Sequence, residues 1–330
     1  MSEPDTASHR SAGLPCSSRR RAWLGAIAAL LLLATTSCSV RKFAVNEIGN
    51  SIARGNELFT ADDDPELVRD ALPFGLKTME MLLAESPRHP GLLLAATQGF
   101  TQYAYAFVQM DADLAGAADY EKITALRDRA LKLYLRARGY GLRGLEIRHK
   151  GITQQLSLTP EAAVKGITLK EQPILFWTAA AWGSAVGLGR DRPELMADIP
   201  AVRALMQRAL ELDENFGGGA IHEAMIALDA LPRDLGGSPE HARQHFERAV
   251  AISNGARPGP YVTLAETIEV QRQDRAAFER LLQQALAIDP EKKPSARLET
   301  LMMQRKARAL LARADELFFD SGETTPEDSK

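Results

Sequence analysis

Three stretches of the chain repeat one arrangement of apolar residues at helical spacing, each followed by a polar or proline stop. His241 to Asn254 sets Ala242, Phe246 and Ala249 on one helical face, and Ala277 to Pro290 does the same with Phe278, Leu282 and Ala285. Val202 to Glu214 does so with Val202, Met206 and Ala209. The stops at Glu214, Asn254 and Pro290 lie 40 and 36 residues apart. A recurrence of that length is the mark of stacked helix pairs, in which each pair leaves an apolar face that only the next can cover. Small alanines fit the close crossing, and a larger apolar side chain fills the space beside each.

The rest of the chain agrees with a helical stack. From residue 44 onward Ala, Leu, Glu and Arg dominate, and runs of β-branched residues at period two are missing, which excludes a sheet. Breakers divide the pattern at Pro65, Pro87 to Pro90, Gly139 to Gly144, Pro160, Pro173, Pro193, Pro200, Gly217 to Gly219, Pro232 to Pro239, Pro258 to Pro260, Pro290 and Pro294. The fold class expected is all-α: degenerate helix-pair repeats resembling the tetratricopeptide repeat (TPR-like), wound as an α-solenoid or superhelical bundle over residues 38–319. Residues 66–85 and 91–110 read as an amino-terminal pair. Residues 114–172 read differently, with a long helix from Tyr120 to Arg138, a Gly- and Arg-rich turn and a short helix near Pro160 to Gly166, and this suggests a capping or partner-facing element. Residues 320–330 read as a disordered acidic tail.

The first forty residues follow another rule. Arg19, Arg20 and Arg21 precede an apolar run from Ala22 to Ala34 that ends in Thr35-Thr36-Ser37-Cys38. The apolar run is of signal-peptide length and short of the ~20 residues that span a bilayer. Small residues before a cysteine resemble the lipobox of bacterial lipoproteins, so residues 1–37 are expected to be a lipoprotein signal peptide and Cys38 the lipidation site. Thr35 departs from the leucine usual three residues before the cysteine. Cys16, the other cysteine, lies in the part removed, so the mature chain has no intramolecular disulfide. Loss of residues 1–37 removes four arginines and two acidic residues and takes the formal charge from −3 to −5. A mildly acidic chain has no phosphate-neutralising footprint, so no nucleic acid is expected as a partner.

Catalytic patterns are missing. His222-Glu223 begins like a zinc-protease helix, but Ile226 stands where the second ligand belongs, so no metal is expected. Gly217 to Gly219 precedes a helix without the lysine of a phosphate-binding loop, and no Gly-x-Ser-x-Gly elbow occurs. Neither an enzyme nor a cofactor is indicated. Aromatic residues crowd two helices, Phe100 to Phe107 and Phe176 to Trp182. Such groups line apolar pockets or fill cores; Tyr103, Tyr105, Trp177 and Trp182 are the candidate ligand-lining residues.

Leu175 to Gly183, Ala220 to Glu223, Leu231-Pro232, Leu235-Gly236-Gly237 and Ala242 to Phe246, taken with the lipoprotein signal, resemble the TatT family, the T component associated with TRAP transporters. That resemblance implies a periplasmic lipoprotein that pairs with the substrate-binding P component, and Ser39 after the cysteine resembles the outer-membrane sorting pattern, so the lipid anchor is expected at the periplasmic face of the outer membrane. The family resemblance also implies a homotrimer with an internal pore or cavity for an apolar or organic-acid ligand. The alternative is a TPR scaffold lipoprotein for envelope or outer-membrane assembly.

Overall fold

Prolines start the helices. Pro65, Pro90, Pro160, Pro193 and Pro239 each occupy the first helical position, where the missing N–H would have had no partner and the fixed φ already suits the helix. The residues just before them cap the exposed amides: Asp64 accepts from Glu66 and Leu67, His89 Nδ1 from Leu92 and Ser238 from His241. The breakers read from the sequence are therefore helix starts as often as stops.

The computed structural model describes residue 47, residues 59–116 and residues 119–319. Cys38, the signal segment 1–37 and the tail 320–330 lie outside the described residues. In chain order the helices are α1 (Pro65–Glu85) and α2 (Pro90–Tyr103), the latter continuing through a π turn (Ala104–Gln109) to Leu114. There follow α3 (Tyr120–Leu145), the short α4 (Ile152–Leu158) and α5 (Pro160–Val164), α6 (Gln172–Leu188), the short α7 (Pro193–Met196), α8 (Ile199–Leu212) and α9 (Ala220–Asp229). Then come α10 (Pro239–Ser253), α11 (Gly259–Leu264, continuing through a π turn at Ala265–Glu269 to Arg272), α12 (Arg275–Leu286), α13 (Arg297–Ala312) and α14 (Ala314–Leu317). No strand occurs among the described residues. The fold is all-α and built of helix pairs.

Each long helix packs on the next: α1 on α2, α2 on α3, α3 on α6, α6 on α8, then α9 on α10, α11 on α12 and α12 on α13. The three matching faces named above do bury their apolar residues, with Met206, Ala209, Ala249, Phe278, Leu282 and Ala285 at or near zero exposure. Phe246 stays half-buried and meets Tyr261 edge-on at 5.4 Å.

Two readings of residues 114–172 are corrected. Gly139 to Gly144 is helical interior, since α3 runs unbroken to Leu145. The glycines serve a close crossing: a Cβ at Gly141 would collide with Thr178 Oγ1 of α6, and one at Gly144 would lie 2.9 Å from Ile174. Glycine costs about 1 kcal/mol in a helix interior, and here tertiary packing outweighs that cost. Nor is α3 a peripheral cap. Leu131, Tyr134 and Ala137 are buried in the main core between α2 and α6.

The stack closes on itself. α13 reaches back to α1 and to the end of α2, where Arg305 Nη1 lies 3.0 Å from Glu66 Oε1 and Arg313 Nη1 donates to the Asp113 carbonyl at 3.0 Å. Arg297 donates to the Ala61 carbonyl at 3.0 Å. Where first and last helices meet, a cleft of about 360 Å³ is lined by Glu66, Arg69, Asp111, Lys122 and Arg305.

Candidate functional site

Both π turns face the place where the stack closes. A π turn carries one extra residue in a helix and occurs frequently at functional sites. The first contains Tyr105 and the second Glu266, and both meet Lys306 of α13. Lys306 is 4% exposed. Its Nζ lies 2.7 Å from Glu266 Oε2 and 3.8 Å from Asp113 Oδ2, and 5.5 Å from the centre of the Tyr105 ring. The Tyr105 hydroxyl points at Met303 Sδ, 3.6 Å away on the same face of α13.

A second cation stands close by. Arg257, 6% exposed, donates to Glu299 Oε1 from Nε at 3.0 Å and from Nη2 at 2.7 Å. Its Nη2 also lies 3.0 Å from Glu223 Oε2. The Glu223 carboxylate sits against Gly259, where a Cβ would overlap Oε1; glycine is required there because α11 begins under that carboxylate.

Charge in this interior is finely set. Burial alone would strip the proton from Lys306, but Glu266, Tyr105 and Asp113 outweigh it and hold the ammonium above the ordinary lysine range. Burial raises the carboxyl of Asp113, with Lys306 opposing. The Tyr105 phenol is pushed up to about 12, first by burial, with Glu266, Glu223 and Asp113 adding and Lys306 opposing. Glu223 is pushed up to about 7, again first by burial, with Arg257 pulling it down and Glu299 pushing it up. The arrangement is two buried cations, each shared by two carboxylates, with the Tyr105 ring over one of them, Lys306. It suits binding through ion exchange and hydrogen bonding, and it lacks the nucleophile–base pairing of a covalent catalyst.

Of the four ligand-lining candidates, Tyr105 lies in this cluster and the others lie elsewhere. The Tyr103 hydroxyl accepts from Arg129 Nη2 at 3.2 Å, and its ring packs on Phe107 at 5.8 Å. Trp177 is half-buried and meets Phe176 edge-on at 5.1 Å. Trp182 donates from Nε1 to Asp198 Oδ2 at 2.8 Å, with the Arg138 guanidinium 4.9 Å above its ring. Lys306, Glu266, Asp113, Arg257 and Glu299 were not singled out by sequence reasoning. The one signal for them is a pair of charges, Arg305 and Lys306, beside Met302-Met303 on a helix that must also bury a face. Among the described residues no group of three or more His, Cys, Asp or Glu converges as a metal site, and no helix is long and apolar enough to cross a membrane.

The helices that build this interior coincide with a recognised sequence family. Residues 61–318 match the model of the TRAP transporter T-component. The chain belongs to that family. It is also 30% identical over 314 residues to an uncharacterised protein of Treponema pallidum (strain Nichols), an alignment covering 89% of this chain and 97% of that one. As a T-component the chain has an accessory role in TRAP transport. The T-component match runs from the loop before α1 through α14, so the closing contacts and both π turns fall inside it.

Proposed function

We propose that this T-component is a lipoprotein, acylated at Cys38 and held at the periplasmic face of the outer membrane. There it docks the substrate-binding P component of a TRAP system and holds an apolar or organic-acid ligand in its closed interior, as one copy in a homotrimer. The observation that carries the reading is the family match across the whole helical stack. The signal-like amino terminus supports the anchor.

For the ligand, the support is the chemistry of the interior. Lys306 and Arg257 are two buried cations whose more exposed partners, Glu266 and Glu299, retain 34% and 38% side-chain exposure. An entering carboxylate exchanges with those side chains and takes over a cation without leaving it unpaired, which a buried charge does not tolerate. Tyr105 and Met303 supply the apolar wall. Tyr103, Trp177 and Trp182 are the further aromatic positions to probe for ligand contact.

The test is affinity capture from an extract of the native organism, using the chain from Ser39 onward as bait and mass spectrometry of what co-purifies. Recovery of a TRAP-type binding protein is expected. Recovery of envelope-assembly proteins without it would overturn the transport reading in favour of a scaffold. Sedimentation of the same material reads the trimer directly.

A further inference from the structure

Helices α9 and α10 are joined by a hydrogen bond between two histidines. His222 Nδ1 lies 2.8 Å from His245 Nδ1, with ring centroids 5.1 Å apart. Both rings are largely withdrawn from water, at 6% and 17% side-chain exposure. Two ring nitrogens at this distance hold one proton between them: one ring donates and the other offers its lone pair.

The outer nitrogens decide which ring donates. His222 Nε2 lies 3.3 Å from Glu214 Oε2, and hydrogen bonding from Arg248 holds that carboxyl down at about 2, so it is ionised. His222 therefore keeps its proton on Nε2 and accepts at Nδ1; this tautomer follows from the network around it. His245 donates from Nδ1, and its bare Nε2 faces Asp229 Oδ2 across 3.7 Å. Asp229 is 3% exposed and is tied through Oδ1 to Arg203 of α8 at 2.9 Å. The charged and titratable groups facing the pair are thus Glu214 and Arg248 on one side, Asp229 and Arg203 on the other, and His241 from the same helix as His245.

We propose that His222 and His245 form a one-proton joint between α9 and α10, which accepts a first proton at His245 Nε2 and opens on the second. The first proton turns an acceptor facing Asp229 into a donor and leaves the Nδ1 bond intact. The second must go to His222 Nδ1, where the N–H of His245 already points, and two N–H groups cannot share that gap. A metal ion does not fit between nitrogens so placed, because each lone pair would have to turn away from the other to meet it. Burial lowers the pKa of both rings, and His222 lowers that of His245 further. The unfolded chain therefore binds more protons than the folded one below the ordinary histidine value of 6.5, and stability falls as pH falls through that range. The inference does not depend on the transport reading. It bears on the interior all the same, since Glu223 is the next residue on α9.

The test is a pH titration of the full chain labelled with ¹⁵N-histidine, following the ring nitrogens and the melting temperature together. We expect His245 Nε2 to protonate while His222 Nδ1 keeps the shift of a hydrogen-bond acceptor. The second protonation should coincide with a fall in melting temperature. Two fully protonated rings in a chain of unchanged melting temperature would overturn the proposal, as would two independent titrations at the unperturbed midpoint. The double variant His222→Leu, His245→Leu leaves Glu214 with Arg248 and Asp229 with Arg203. It should lose at least half of the native drop in melting temperature between about pH 7.5 and about pH 5, the window in which histidine changes charge; an undiminished drop would count against the joint. Should that variant fail to fold, the titration of the native chain decides alone.

Discussion

Lys306 carries its charge where water scarcely reaches, and it stays charged because Glu266 and Asp113 are close. Removing Lys306 strands two part-exposed carboxylates, Asp113 at 21% and Glu266 at 34% side-chain exposure, at a cost of about 1–3 kcal/mol. Lys306→Met keeps most of the length of the side chain and should destabilise by that amount in denaturant unfolding. Lys306→Met with Glu266→Gln should recover much of it, because the stranded carboxylate is then gone. Strict additivity of the two single changes, within about 0.5 kcal/mol, would show that the residues do not act as a pair. Glu223 gives a prediction of the opposite pH sign to the histidines. Its folded pKa of about 7 stands above the ordinary value of 4.5, so between those values the folded chain holds a proton that the unfolded chain has released. Stability from this residue is present in mild acid and lost as pH rises through 7. Glu223→Gln should remove that slope, and unfolding curves at pH values on either side of 7 will read it. Tyr105 was legible as an aromatic worth attention. Its ionic neighbours were not, because a lysine or glutamate on an amphipathic helix has the same local pattern on a solvated face as on a closed interior one.

Among the elements, what could be read locally was read. Proline at a helix start and a capping residue before it are chemistry of adjacent residues, and the starts at Pro65 and Pro90 were legible for that reason, whereas Pro193 and Pro239 were read only as breakers. Gly139 to Gly144 misled, because the need for glycine in α3 lies in α6, thirty or more residues on. Gly141→Ala tests this: the added methyl meets Thr178, and the overpacking should cost about 1–3 kcal/mol of stability. Pairing it with Thr178→Ala should restore part of the loss, whereas the same change at Gly139, which has open space around its Cβ position, should cost nothing and slightly favour the helix. The π turns at 104–109 and 265–269 were hidden too. One extra residue in a helix alters neither composition nor the apolar period by enough to notice, yet Tyr105 and Glu266 both lie in such turns. The partner of His222 was equally out of reach, being 23 residues away on another helix.

For the whole molecule the decisive event is closure. An open solenoid is stabilised by its repeats and their neighbour contacts, so it frays from its ends. Here α13 fastens to α1 and to the end of α2, and the interior salt links at Lys306 depend on that fastening. Deleting residues 294–330 should therefore do more than remove one helix. It exposes Glu266 and Asp113 together and should replace a single unfolding transition by a broad or stepped one; a retained sharp transition would show that the stack is stable open. The all-α repeat architecture was legible from the spacing of Glu214, Asn254 and Pro290, but its closure was not, since no single repeat records how many copies complete a turn. That number has a historical consequence. A linear array grows by copying a unit, whereas in this chain a duplicated pair would push α13 away from α1 and unlock both ends. Descendants of such a protein are free to vary in the connections between helices, as at residues 146–151, but not in the count of helix pairs, so relatives should differ in loop length while keeping the same number of turns.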